Sequence, residues 1–143
     1  MNTTQPRHSV SVSGVIPDDH GRVLLIRRRD NQYWEPPGEV LELAETIHDG
    51  LRREIREETG LDIEPGPLTG IYKNMPRGII ALVFRCKITG GHLTANDEVT
   101  AFHWANETEI RRFTNEAYTV RLLDALHTEA TPAVRQHDGV HVL

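Results

Sequence analysis

Three glutamates, Glu54, Glu57 and Glu58, stand at i, i+3 and i+4 inside a segment that carries its own helix start and stop signals. On an α-helix that spacing gathers the carboxylates on one face, within about 100° of arc. Thr46-Ile47-His48-Asp49 has the spacing of a capping box, whose hydroxyl satisfies an orphan backbone N–H. Gly60 suits the residue after the helix, where a left-handed conformation costs glycine no Cβ clash. Ile47, Leu51 and Ile55 form an apolar stripe beside the acids. A helix built this way packs on a sheet along one flank and presents its acids at the rim of a cleft.

Clustered like charges repel, by roughly 0.2–0.5 kcal/mol per pair even on a solvated face. Bound divalent cations remove that repulsion, and hard ions such as magnesium take oxygen ligands from a few carboxylates, water and phosphate. The competing reading is a solvated face laced with ion pairs, for which Arg53 and Glu57 supply one opposite-charge pair. The three acids alone leave both readings open.

The rest of the chain supplies a sheet. Residues 8–16 read as a strand, Pro17-Asp18-Asp19-His20-Gly21 as a turn, and Val23–Ile26 as a second strand, predicted to form a hairpin with the first. Residues 30–43 are loop-like with two prolines, and Val40–Leu43 could form a short strand. Beyond the helix, 68–72, 79–88 and 99–104 read as strands, and 107–112 and 116–127 as helices. The 79–88 stretch is nearly continuously apolar and reads as central. From Thr128 the chain turns polar, with Pro132, and is predicted to be a loosely ordered tail within a single domain of 1–143.

Composition narrows the function classes. The 143 residues suffice for one core, and a net charge of −5 argues against broad nucleic-acid binding, which needs a basic surface. It does not argue against an anionic small molecule, because bound metals supply local positive charge. The single cysteine, Cys86, excludes an intrachain disulfide and a cysteine zinc site, and reads as a buried hydrophobe. No apolar run reaches the ~20 residues of a membrane span, and MNTTQPRHSVSVSG lacks a signal pattern. A cytoplasmic location is the default expectation.

Glu45, Arg53, Glu54, Ile55, Glu57, Glu58, Gly60 and Leu61 also stand at the spacing of a known box, preceded by Trp34-Glu35-Pro36-Pro37-Gly38. On these residues the chain resembles the Nudix hydrolase family, in its small MutT-like form. Every defined box position agrees except the first, where Glu39 replaces glycine. The resemblance implies an α+β fold, an α/β/α sandwich around a mixed β-sheet, and hydrolysis of a diphosphate linkage in a nucleoside triphosphate or another nucleoside diphosphate derivative. It implies Mg2+, with Mn2+ as a substitute, held by Glu54, Glu57, Glu58 and the carbonyl of Gly38. Arg53 would hold Glu45 or Glu54 in place. The general base is Glu98 by analogy with downstream loop glutamates, with Asp97 or Glu57 as alternatives.

On the substrate side, Arg28 at a strand end matches phosphate oxygens. Tyr33, Trp34 and Tyr72 could stack a base, and Lys73 or Arg77 could add charge. Each of these also reads as ordinary core or surface. Glu39 motivates a rival reading, because a non-glycine residue at positive φ costs about 1 kcal/mol or more. That rival is a nucleotide or sugar-nucleotide binding module that has lost efficient catalysis. A structural or interaction domain with an acidic helix is a third reading, and a homodimer is left open.

Overall fold

The computed structural model describes residues 5–127 and 131–143. Its elements run β1 (Ser9–Val15), β2 (Val23–Arg28), β3 (Trp34–Glu35), β4 (Gly38–Val40), α1 (Ile47–Thr59), β5 (Leu61–Asn74), β6 (Ile79–Gly91), β7 (Val99–Ala105), α2 (Glu107–Phe113), α3 (Glu116–Leu126) and β8 (Ala133–His137). A five-stranded sheet has the order β4-β1-β6-β5-β8, and a three-stranded sheet the order β3-β2-β7. The larger sheet is mixed: β1 runs parallel to β6, and β8 parallel to β5.

Helices cover both faces. Leu51 and Ile55 of α1 meet Val12, Leu24, Phe84 and Cys86 in one core cluster. On the other side, Ile110 of α2 and Leu122 of α3 meet Val23, Leu25, Ala81 and Val83. Successive strand residues point to opposite faces, so Val23 and Leu25 serve one cluster and Leu24 the other. Burial on both faces explains why β2 reads as unbroken apolar sequence. This is the expected α/β/α sandwich around a mixed sheet.

Four local expectations are corrected. β1 and β2 are not paired as a hairpin; past the end of β1 the chain makes the isolated Pro17–Val23 bridge, with the Asp18 N–H on the Arg22 carbonyl and the Leu24 N–H on the Ile16 carbonyl. They then part, β1 to β6 and β2 to β7. The short strand expected at Val40–Leu43 lies earlier, at Gly38–Val40. The strand expected over 68–72 extends over Leu61–Asn74, passing Pro65, Gly66 and Pro67 with register shifts. Ile47 is exposed, so Leu51 and Ile55 carry the burial of α1.

The tail is also corrected. Residues 128–130 lie outside the described residues, but Ala133–His137 adds β8 to the sheet edge. Both guanidinium arms used by Arg135 reach Asp124 of α3 at 2.8 Å, and His137 is buried. A polar sequence can form an edge strand where only one face is covered, and burial alternates along β8 accordingly. Among the described residues, no helix is long and apolar enough to cross a membrane.

The packing of α1 gives a first test. Ile55 is fully buried, so Ile55→Ala is expected to lower stability by about 2–5 kcal/mol through lost burial and a residual cavity. Urea unfolding measures it, and a loss below about 1 kcal/mol would contradict this packing.

Candidate active site

The acids of α1 are oriented by signals at the helix ends. The Thr46 hydroxyl accepts from Asp49 N–H, and Gly60 closes the helix at φ 82° with its N–H on the Arg56 carbonyl. With Leu51 and Ile55 turned into the core, Glu54 and Glu58 follow them inward while Glu57 stays half exposed. Glu58 is 1% exposed, and its Oε1 accepts from the Gly38 N–H at 2.9 Å. That bond ties the acid helix to β4.

Gly38 lies at φ +151°, where a Cβ would run into the Val12 carbonyl oxygen and Ser13 Cα. The glycine requirement therefore falls on Gly38. Among the described non-glycine residues, Gln32 is the one at positive φ, so Glu39 carries no such backbone strain. Its carboxylate accepts from Arg28 Nη1 at 2.6 Å.

Arg53 orders the acids around it. It donates to both Glu45 oxygens, at 2.6 and 2.8 Å, to Glu54 at 2.8 Å and to Glu57 at 3.2 Å. The Arg53 hydrogen bonds pull the Glu45 carboxyl down to about 2. Burial, then the neighbouring Glu54 charge, pushes Glu58 up to about 9, and burial also raises Glu54. The upward shifts of Glu54 and Glu58 mark carboxylates that their surroundings do not fully compensate.

Asn96 brings in the downstream loop. Its Nδ2 donates to the Glu58 carbonyl at 2.8 Å, while its Oδ1 accepts from the Glu98 and Val99 N–H groups. Arg29 holds the same loop by donating to the Asp97 and Glu98 carbonyls. Asp97 and Glu98 thereby reach a cleft of about 480 Å³ shared with Glu54, Glu57 and Glu39. Every residue lining it is ionisable, six acids against two arginines. Among the described residues, no three acidic, His or Cys side chains converge as a ready-made metal cage. Glu54 and Glu57 instead share the Arg53 guanidinium.

A second cavity of about 280 Å³ adjoins this cleft, sharing Arg28, Asp30 and Glu39 with it. Gly38, Arg77, Tyr118, Arg121 and His137 are among its walls. The structure thus brings together Gly38, Arg53, Glu54, Glu57, Glu58 and Glu98, with Arg28 on the shared wall and Arg77 beyond it. Arg28 is not a free phosphate ligand as it stands, being bonded to Asp30, Glu35 and Glu39.

Two stacking expectations are corrected. Tyr72 is 1% exposed, its hydroxyl donates to Asp124 at 2.7 Å, and Arg121 lies 5.0 Å over its ring. Its face is already covered, so it does not offer a base a stacking platform. Trp34 stacks on Phe113 at 5.6 Å and lines neither cavity. Sequence reasoning missed Asn96, Arg121 and His137. The turn-forming Asn96-Asp97-Glu98 run was the available signal for the first; nothing local marked the other two.

Residues 7–126 match the model of the NUDIX domain. A "MutT-like protein" of Streptomyces ambofaciens is 52% identical over 141 residues, covering 99% of this chain and 91% of the relative. An ADP-ribose pyrophosphatase of Methanocaldococcus jannaschii is 38% identical over 97 residues, covering 63% of this chain and 57% of the relative. The crystal structure of an ADP-ribose pyrophosphatase from Streptococcus suis superposes with a TM-score of 0.75 at 20% identity, covering 92% of this chain and 100% of that one, a likeness of fold alone.

Proposed function

Because the chain belongs to the NUDIX domain family of hydrolases acting on nucleoside diphosphate derivatives, we propose that it is a magnesium-dependent pyrophosphohydrolase cleaving a P–O–P bridge in a nucleoside triphosphate or a related diphosphate derivative. The observation that carries this reading is the donor set of the cleft, six acids against two arginines backed by the buried Glu58. An anionic substrate is repelled from such a surface unless cations enter with it. Oxygen-only donors suit magnesium, with manganese as a substitute.

Glu54, Glu57, Glu58 and the Gly38 carbonyl would hold the cation. When bound, it neutralises the diphosphate and polarises its phosphoryl oxygens. Arg53 acts as a positioning residue, fixing Glu54 and Glu57 from the side and Glu45 behind them. Glu98, exposed at the mouth, takes the proton of the attacking water, with Glu57 as the alternative base. The water oxygen bonds to phosphorus as the bridging P–O bond breaks. From a triphosphate the products are a nucleoside monophosphate and pyrophosphate. Arg28 and Arg77 line the path of the remaining substrate, and Arg28 exchanges a carboxylate partner for a phosphate oxygen.

Pure protein with magnesium and a nucleotide panel, products followed by phosphorus NMR, tests the reading. Turnover that chelation stops and magnesium or manganese restores is expected. No turnover of any member overturns it.

A further inference from the structure

The second cavity contains a hydrogen-bonding conflict that this protein does not resolve by itself. His137 and Arg121 are each 5% exposed, and both line it. His137 Nδ1 accepts from the Gly139 N–H at 2.9 Å. A neutral imidazole has one N–H, so that bond places the proton on Nε2. Burial, then the Arg121 charge, keeps the ring neutral by lowering its pKa. Nε2 faces Arg121 Nη2 at 3.2 Å, and a guanidinium nitrogen also only donates. Two donors therefore confront each other.

Further unpaired groups surround the same space. Among the described residues Arg121 Nε has no partner, and neither does Ser13 Oγ, another wall of the cavity. Arg121 is held over the Tyr72 and Tyr118 rings, at 5.0 and 4.4 Å, by cation–π contact, and no carboxylate of the described residues forms an ion pair with it. A buried polar group without a partner is costly, and a site built from such groups discriminates strongly for the ligand that completes it.

We propose that Arg121 and His137 are specificity-determining residues that read an oxo group on the nucleobase of the substrate. The inference rests on the proposed nucleotide hydrolysis and deepens it. One carbonyl oxygen has two lone pairs and no hydrogen, so it can accept from Nε2 and Nη2 together. An amino group set between Nε2 and Nη2 would add donors to donors. A phosphate is also acceptor-only, but the acids Asp30, Glu35 and Glu39 offset the arginines Arg28, Arg77 and Arg121 on these walls, which leaves no net positive charge for a full anion. The cavity adjoins the acid cleft through Arg28, Asp30 and Glu39, which lets a base enter it while the diphosphate lies at the cleft.

Matched pairs with one phosphate chain test this: inosine against adenosine triphosphate, and uridine against cytidine triphosphate. The unmodified protein is expected to favour the oxo member of each pair by at least about tenfold in kcat/KM. Arg121→Ala and His137→Ala are expected to bring both ratios toward one, chiefly by raising KM for the oxo members. Thermal melts confirm that each variant is folded; if neither folds, the ratio in the unmodified protein decides alone. Equal use of both members, or preference for the amino members, overturns the inference. Calorimetric binding of the same four nucleotides with magnesium separates the two ideas. An oxo preference in Kd without turnover supports the inference and overturns the catalytic reading. Turnover without preference does the reverse, and absence of both binding and turnover overturns both.

Discussion

Glu57→Gln is expected to lower kcat by about a thousandfold while moving the thermal midpoint by no more than a few degrees. The substitution keeps the side-chain shape and removes one negative oxygen donor. Transition-state charge stabilisation through a cation is worth several kcal/mol, and about 4 kcal/mol corresponds to about three powers of ten. Stability should barely respond, because Glu57 is half exposed and its ion pair to Arg53 spans 3.2 Å. Surface pairs of this kind contribute about 0–1 kcal/mol, and a domain of this size moves by roughly 2–4 °C per kcal/mol. Saturating turnover and a calorimetric scan give the two numbers. Undiminished turnover would return α1 to the solvated, ion-paired face that its sequence equally allowed.

Gly38→Ala is expected to be the most damaging single change to the fold around the site. The new methyl would collide with the Val12 carbonyl oxygen and Ser13 Cα, which belong to the β1 backbone and cannot rotate away. The backbone at φ +151° is itself strained for an alanine. Relief requires β4 to shift, and the Glu58 anchor shifts with it. A loss of about 3–5 kcal/mol follows, or a fall in midpoint of roughly 10 °C. Gly21→Ala is the control: it also lies at positive φ, 74°, but its Cβ would meet nothing within 4 Å. Backbone strain alone gives about 1 kcal/mol there. Equal losses at the two glycines would refute the steric account of Gly38.

What the sequence disclosed was what local chemistry decides. Thr46 and Gly60 bound α1 through hydrogen bonds within a turn of each, so its limits could be read directly. The spacing of Glu54, Glu57 and Glu58 similarly fixed their common face. Pairing across the sheets was less legible, because β1 and β2 choose partners some seventy residues away over the turn that joins them. Tyr72 shows the same limit at one residue. An aromatic near the end of β5 reads alike whether a ligand or Arg121 covers its ring, and α3 supplies that answer from about fifty positions downstream. Arg28 was visible as a charge, but its three carboxylate partners were not. The concern over Glu39 dissolved because the unusual dihedral belongs to its neighbour.

β8 lies beyond the residues that match the family model, yet it closes a sheet edge and contributes His137 to the second cavity. The α1 acids proposed to hold the cation and this wall thus lie in separate stretches of the sequence. Drift in a short, polar, carboxy-terminal ribbon can recut the pocket without disturbing an acid on α1. Descendants of one ancestor can in this way keep their reaction and trade one diet for another.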